Sequence, residues 1–332
     1  VKPFGYVRAV TLREAVEAHA AHPGSRYLAG GTNLVDLMKL GVERPGTLVD
    51  ISRLPLDAIE ERPGGALLIG ATARGGDVAA HPLVRARYPA LAQALLAGAS
   101  AQLRNVATTG GNLLQRTRCA YFQDPSKACN KREPGTGCSA LDGAHREHAV
   151  FGHSTHCVAT HPSDLAVALA AFDADIELYG AQGTRTVPAT AFHRLPGDHP
   201  ERDTVIRDGE IVTGVLLPAA APGARSRYRK ARDRASYAFA LVSVAAVLDV
   251  DAGSGLVRHA ALAFGGLAHR PWRAGAAERA LTGAAPTPET FRRAVEAELA
   301  EARPLRDNAF KVVLARNLAR DVLGALARDA TA

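Results

Sequence analysis

Four cysteines, Cys119, Cys129, Cys138 and Cys157, fall in one window of a 332-residue chain, separated by nine, eight and eighteen residues. Four thiolates gathered this way can ligate a [4Fe–4S] cluster or a zinc ion, or can pair as two disulfides. No close C-x2–4-C pair is present, which counts against an ordinary structural zinc site. His145, His148, His153, His156 and His161 crowd the same window and keep mixed Cys/His zinc ligation open. Disulfides would need an oxidising compartment. A catalytic thiol is the weaker reading, because all four cysteines occur together, and no nucleophile–base pair stands out.

Two loops carry a different chemistry. Ala29-Gly30-Gly31-Thr32-Asn33 lies between a short strand and a helix, and Thr108-Thr109-Gly110-Gly111-Asn112 repeats its character. Paired glycines let backbone approach a ligand, and successive N–H groups can form an anion-binding nest. The helix start after the first loop adds partial positive charge for a phosphate. One diglycine is more often a plain turn, but two flanked by Thr and Asn suggest a clamp on a pyrophosphate. Neither fits G-x-G-x-x-G, and no Walker A sequence is present.

The elements around these residues read as α+β. Thr11 and Glu14 form a capping box for a helix that Pro23-Gly24 stops. Strands are expected at Arg26–Ala29, Thr47–Ile51 and Leu67–Ala71, and helices at Leu34–Leu40 and Pro89–Ala97. Leu103–Asn112 reads as a polar connection. From Leu113 to His161 periodicity disappears, and so long an irregular stretch needs a special reason; the cysteines supply one. Ser163 caps a helix over Asp164–Ala171. Ala174–Tyr179 and Thr184–Val187 form a hairpin, and Glu210–Leu217 is a strand. After a linker at Pro218–Gly223, strands are expected at Phe239–Val250 and Leu256–Phe264. Helices near Pro288–Ala302 and Arg306–Leu326 finish the chain.

Composition sets the class. Apolar residues are 47% and charged residues 22%, which is globular. The net charge of +7 is spread along the chain. No recognition helix or aromatic–basic platform accompanies it, so nucleic-acid binding is not expected. No apolar run is long enough for a membrane span. The N-terminal residues show no export signal, so the compartment is left open, periplasmic export depending on a partner's signal.

The order Ala29-Gly30-Gly31-Thr32, Gln102-Leu103-Arg104-Asn105, Thr109-Gly110-Gly111-Asn112, Pro162-Ser163-Asp164 and Lys230 resembles the FAD-binding medium subunits of the molybdenum hydroxylases, the xanthine dehydrogenase and carbon monoxide dehydrogenase group. The strings Asn112–Cys119 and Arg232–Ala240 look most like its aldehyde oxidoreductase branch. The resemblance covers essentially the whole chain. It implies a two-part FAD-binding domain of the vanillyl-alcohol-oxidase/PCMH type over 1–220, with an iron–sulfur insertion at 113–160. A C-terminal α+β domain of the CO dehydrogenase flavoprotein type would occupy 224–332.

The resemblance also assigns residues. Tyr27, Leu28, Ala29, Gly30, Gly31, Thr32, Asn33 and Leu34 match the first FAD loop; Thr108, Thr109, Gly110, Gly111 and Asn112 match the second. Asp164 matches an acidic residue suited to a ribose or ribityl hydroxyl, Val212 an apolar flavin contact and Lys230 a cofactor-binding lysine. Without the family, Asp164 reads as a helix N-terminal charge, Val212 as core and Lys230 as surface. The four cysteines match a [4Fe–4S] insertion carried by the aldehyde oxidoreductase type and by 4-hydroxybenzoyl-CoA reductase. The implied partners are a molybdopterin-binding large subunit, a [2Fe–2S] small subunit and an external electron acceptor. The rival readings are a reductase-type FAD subunit running electrons the other way, a self-sufficient flavin oxidase, and a zinc-stabilised binding protein without redox chemistry.

Overall fold

The structure, a computed structural model, describes residues 1–331. The chain opens with β1 (Gly5–Arg8), α1 (Leu12–Ala21), β2 (Arg26–Leu28), α2 (Leu34–Lys39) and β3 (Thr47–Asp50). These strands make a small parallel sheet in the order β1-β3-β2. Half of the expected capping box forms: Thr11 Oγ1 accepts from Glu14 N at 3.2 Å, but the Glu14 carboxylate accepts from Val10 N at 3.0 Å, one residue before the cap. Ala15, Val49 and Leu54 bury together as the core of this unit.

A second unit runs through β4 (Ile59–Glu61), β5 (Leu67–Gly70), α3 (Gly75–Ala80), α4 (Pro82–Arg87), α5 (Pro89–Ala97), α6 (Ala101–Arg104), α7 (Thr109–Leu113), α8 (Ala120–Gln123), α9 (Asp164–Ala171), β6 (Asp175–Gly180), β7 (Gly183–Pro188), α10 (Ala189–Phe192) and β8 (Ile211–Leu217). Its five strands form an antiparallel sheet in the order β4-β5-β8-β6-β7. Every residue of α9 is buried. A helix apolar on all sides needs cover on all sides, and α9 finds it against α5 and against two later strands, Val242–Val250 and Val257–Gly265.

The third unit holds β9 (Arg225–Ala231), β10 (Val242–Val250), β11 (Val257–Gly265), β12 (Trp272–Arg273), α11 (Gly275–Leu281), α12 (Pro288–Leu299) and α13 (Phe310–Thr331). Its antiparallel sheet has the order β12-β11-β10-β9. Both faces of this sheet are covered. Val242, Val244, Ala246 and Leu248 face a core shared with α12 and α13, while Ala245 and Val247 face the core shared with α5 and α9. Side chains alternate along a strand, so two covered faces make the sequence read as one apolar run.

Several expectations shift. Leu103–Asn112 is not only a connection: α6 ends in it and α7 begins in it, capped by Thr108, whose Oγ1 accepts from Gly111 N at 3.2 Å. The strand expected from Phe239 begins at Val242. The last helix begins at Phe310, because Asn308 Oδ1 accepts from Leu305 N at 2.7 Å and turns the chain first. Strands β1, β4 and β9 are short or carry polar side chains, so periodicity did not announce them. The irregular stretch is irregular: from Leu114 to His161 only α8 and an isolated bridge between Cys129 and Cys138 are regular. Among the described residues no helix is long and apolar enough to cross a membrane.

Candidate functional site

The two diglycine loops meet. A Cβ on Gly30 would lie 2.2 Å from the carbonyl oxygen of Val106, two residues before Thr108. Glycine is therefore required where the first loop crosses the approach to the second. Gly31 adopts φ +72°, the left-handed region that favours glycine. The second loop is tied to β5 and the chain after it: Thr109 N donates to Ala73 O at 2.9 Å and Gly110 N to Ala71 O at 2.8 Å. Among the described residues, none accepts from the backbone N–H groups of Gly31, Thr32 or Asn33.

A cavity of about 860 Å³ opens beside these loops. Thr32, Asn33, Gly111, Asn112, Asp164 and Lys230 line it. Tyr27, Leu28, Ala29, Gly30, Gly31, Leu34, Thr108, Thr109 and Gly110 do not; they build the loop backbones behind the wall. Tyr27 turns away, donating its hydroxyl to Gly209 O at 2.9 Å. Val212 is buried in β8 and stands 3.6 Å from where a Gly110 Cβ would be. It backs the second loop rather than lining the cavity. Asp164 and Lys230 are brought together: Lys230 Nζ donates to Asp164 Oδ2 at 2.7 Å and to Ala97 O at 3.2 Å. The lysine side chain is only 3% exposed, so it is no surface residue. Tyr228 donates its hydroxyl to the other carboxylate oxygen. Ser163 Oγ accepts from Ala166 N at 3.0 Å and donates to Asn112 Oδ1 at 2.6 Å, locking the α9 cap to the second loop.

The cavity suits an anionic nucleotide. Arg104, Arg118, Arg146 and Arg234 line it beside Asp36, Glu147 and Asp233, with Arg118 paired to Asp36 and Arg146 to Asp233. Asn33 Nδ2 and Arg118 Nε are buried with no partner. Unpaired buried donors cost free energy unless a ligand takes them, so this donor set fits a phosphate-bearing group such as FAD. The string 232–240 forms the rim, where Tyr237 holds φ +50° and Phe239 stacks under Arg118 at 4.9 Å. Arg118 has a signal in the sequence, standing beside Cys119 at the end of Asn112–Cys119; only the fold shows that it faces the cavity.

All four cysteines are free thiols. Cys119 lines the cavity, at the start of α8. Cys129 and Cys138 face each other across a tight hairpin, with Asn130 N donating to Gly137 O at 2.7 Å. Cys157 is buried. Burial pushes Cys119 up to about 12, with Cys157 and Cys129 adding to the rise. Burial likewise pushes Cys157 up to about 11, with Cys138 and Cys129 adding to it and Lys131 opposing it. Among the described residues, no group of three or more Cys, His, Asp or Glu could hold a metal ion. Leu37 of α2 packs with Phe122 and Cys129, which joins the helix after the first loop to the cysteine window.

Charged side chains anchor the window. Asp203 accepts from Arg116 Nε at 2.8 Å and from Lys131 Nζ, and Arg116 also pairs with Glu43 at 2.8 Å. Burial opposes the Asp203 charge, but Lys131 and Arg116 hold its carboxyl well below the usual range. Lys311 is fully buried and donates to Glu147 O, His148 O and Gly266 O at 3.0, 2.9 and 2.7 Å. Burial lowers it to about 7. His193 Nε2 donates to Leu113 O at 2.9 Å, and its ring lies 4.0 Å from that of His161 on the cavity wall.

Comparison with known proteins agrees with this geometry. Residues 2–220 match the FAD binding domain in molybdopterin dehydrogenase, and residues 226–326 match the CO dehydrogenase flavoprotein C-terminal domain. The chain is 49% identical over 325 residues to the aldehyde oxidoreductase FAD-binding subunit PaoB of Escherichia coli, covering 97% of this chain and 98% of that one. It is 29% identical to the carbon monoxide dehydrogenase medium chain of Hydrogenophaga pseudoflava, covering 91% and 88%. A solved structure of carbon monoxide dehydrogenase from the same organism superposes with a TM-score of 0.77 at 28% identity over 98% of each chain. The chain therefore belongs to the FAD-binding medium subunits of the molybdenum hydroxylase family, as one subunit of an oxidoreductase complex whose substrate chemistry lies elsewhere.

Proposed function

We propose that this chain is the electron-transfer station of a heterotrimeric aldehyde oxidoreductase. A molybdopterin-binding large subunit turns an aldehyde and water into a carboxylic acid, two protons and two electrons. Those electrons pass through the [2Fe–2S] clusters of a small subunit to this chain and leave to an external acceptor. FAD, when bound, supplies two-electron storage, and a [4Fe–4S] cluster supplies single-electron steps. Cys119, Cys129, Cys138 and Cys157 hold the cluster in the insertion 113–160 of an FAD-binding domain over 1–220. A C-terminal domain over 224–332 closes the crevice from the other side.

The protein's own task is binding and orientation. The free N–H groups of Thr32 and Asn33 and the unpaired Asn33 and Arg118 side-chain donors receive phosphate oxygens. Asp164, held by Lys230 and Tyr228, offers carboxylate lone pairs to ribityl or ribose hydroxyls. The observation that carries the reading is Cys119, a member of the cysteine set, in the wall of the nucleotide cavity. The identity to a protein named for aldehyde oxidation supports the substrate class.

Anaerobic purification with iron and flavin counts tests it. The expected spectrum is flavin plus a broad iron–sulfur shoulder. Cys138→Ser should lose most iron and keep FAD. An iron-free wild type, or equal iron in variant and wild type, overturns the cluster; a flavin-free protein overturns the crevice.

A further inference from the structure

Two imidazoles stand against the cysteine sulfurs. His148 Nε2 lies 3.2 Å from Cys119 Sγ, and His269 Nε2 lies 3.2 Å from Cys157 Sγ. They arrive from different parts of the chain. His148 belongs to the cysteine insertion. Its carbonyl accepts from Asn308 Nδ2 at 3.1 Å and from Lys311 Nζ at 2.9 Å, which pins it to the start of α13. His269 follows β11, in the C-terminal unit, and is 7% exposed. Among the described residues, no side chain makes a comparable contact with the sulfur of Cys129 or Cys138.

The chemistry of ligation fixes the direction of these bonds. A sulfur bound to iron is a thiolate, which accepts and cannot donate. The ring nitrogen facing it must carry the hydrogen. Nδ1 of both rings is buried without a partner. With the hydrogen on Nε2, a neutral ring leaves Nδ1 an empty acceptor, a milder penalty than an orphaned buried N–H. The unpaired Nδ1 atoms and the Nε2–sulfur contacts therefore agree on one tautomer.

We propose that His148 and His269 are positioning residues for the cluster, whose Nε2–H groups donate to the Cys119 and Cys157 sulfurs and raise its reduction potential. This rests on the cluster reading above. Reduction adds one electron and no proton to the cluster, and the extra negative charge falls partly on sulfur. An N–H donor binds that more charged form more strongly, so it favours reduction. Cys119 and His148 both line the flavin cavity, so one of the two bonds lies on the side that faces the flavin. The other comes from the C-terminal unit, which ties the potential to the seating of that unit against the insertion.

The test uses the full chain, purified anaerobically, with iron and flavin counted and the cluster potential followed by EPR during redox titration. His148→Phe and His269→Phe should keep iron and titrate at lower potential, the double variant lower still. His148→Gln and His269→Gln, which retain an N–H donor, should recover part of the shift. His153→Phe should leave the potential unchanged, since His153 Nε2 faces Arg303 O at 2.9 Å rather than sulfur. Iron-loaded Phe variants with the wild-type potential overturn this inference and leave the cluster reading standing. A wild-type chain without iron overturns the cluster reading, and the inference with it. Where a Phe variant loses its iron, the wild type grown with histidine enriched in a heavy nitrogen isotope decides. Pulsed EPR of its reduced cluster should show coupling to imidazole nitrogen, and no coupling overturns the inference.

Discussion

The two glycine loops at the cavity are positioned by backbone contacts, whereas the cysteine-bearing segment beside them is held by side chains. In the crevice, Gly30 crosses the Val106 carbonyl, and Thr109 and Gly110 donate to Ala73 and Ala71 at the end of a five-stranded sheet. The insertion has one four-residue helix and one isolated bridge. Its shape rests on Arg116, Lys131 and Asp203, on Lys311 with its three carbonyls, and on Asn130 across the Cys129–Cys138 hairpin, with side-chain amide and backbone bonds to Gly137. A ligand gripped by backbone N–H groups needs regular neighbours that fix the backbone to a fraction of an ångström. Ligands offered by cysteine side chains can sit on irregular chain, provided charges and the metal itself supply the folding free energy.

The contrast can be broken at several points. The largest expected effect is on the backbone side. Gly30→Val forces a side chain into the Val106 carbonyl and should cost about 4 kcal/mol or more, with flavin lost from the purified protein. Gly46→Ala, where a Cβ meets nothing within 4 Å, should keep full flavin. Equal flavin in both variants would show that the loops do not need their close approach.

On the side-chain side, Asp203→Asn removes the charge that Arg116 and Lys131 share, leaving Arg116 with Glu43 and Lys131 with Pro200 O. A fully buried pair broken this way costs about 3–5 kcal/mol, but the Asp203 side chain is 30% exposed, so a loss nearer about 2 kcal/mol is expected. Urea unfolding measures it. The pH dependence follows from the same pair. Asp203 is held below the ordinary carboxylate range, so the unfolded chain binds its proton first as pH falls. Its contribution is complete above the unfolded value of about 3.9 and fades as pH drops toward the folded one. Asp203→Asn should therefore flatten part of the acid limb; an unchanged limb would remove Asp203 from the anchoring network.

The smallest effect probes the join between the regions. Ser163→Ala removes the α9 cap and the bond to Asn112, at a cost of about 1 kcal/mol in the unfolding midpoint with flavin content unchanged. A loss of flavin instead would make the cap part of the crevice rather than its support.

Much of this molecule can be read along the chain. The Thr11 cap, the Ser163 cap and the helix at Pro89–Ala97 depend on neighbours within one turn, and they appear where local spacing puts them. The two glycine loops and the cysteine window are equally local. Strand β9, with four basic side chains in seven residues, hides because its inward positions are only partly apolar.

Contacts between distant segments carry no such mark. Asp164 meets Lys230 across 66 residues, and His269 meets Cys157 across 112. Gly30 needs to be glycine because of Val106, not because of its own turn. Local spacing sets which residues can reach a common face, since backbone geometry repeats every few residues. Which faces then meet depends on how three sheets and the buried helix α9 pack, an arrangement whose free energy belongs to the whole chain.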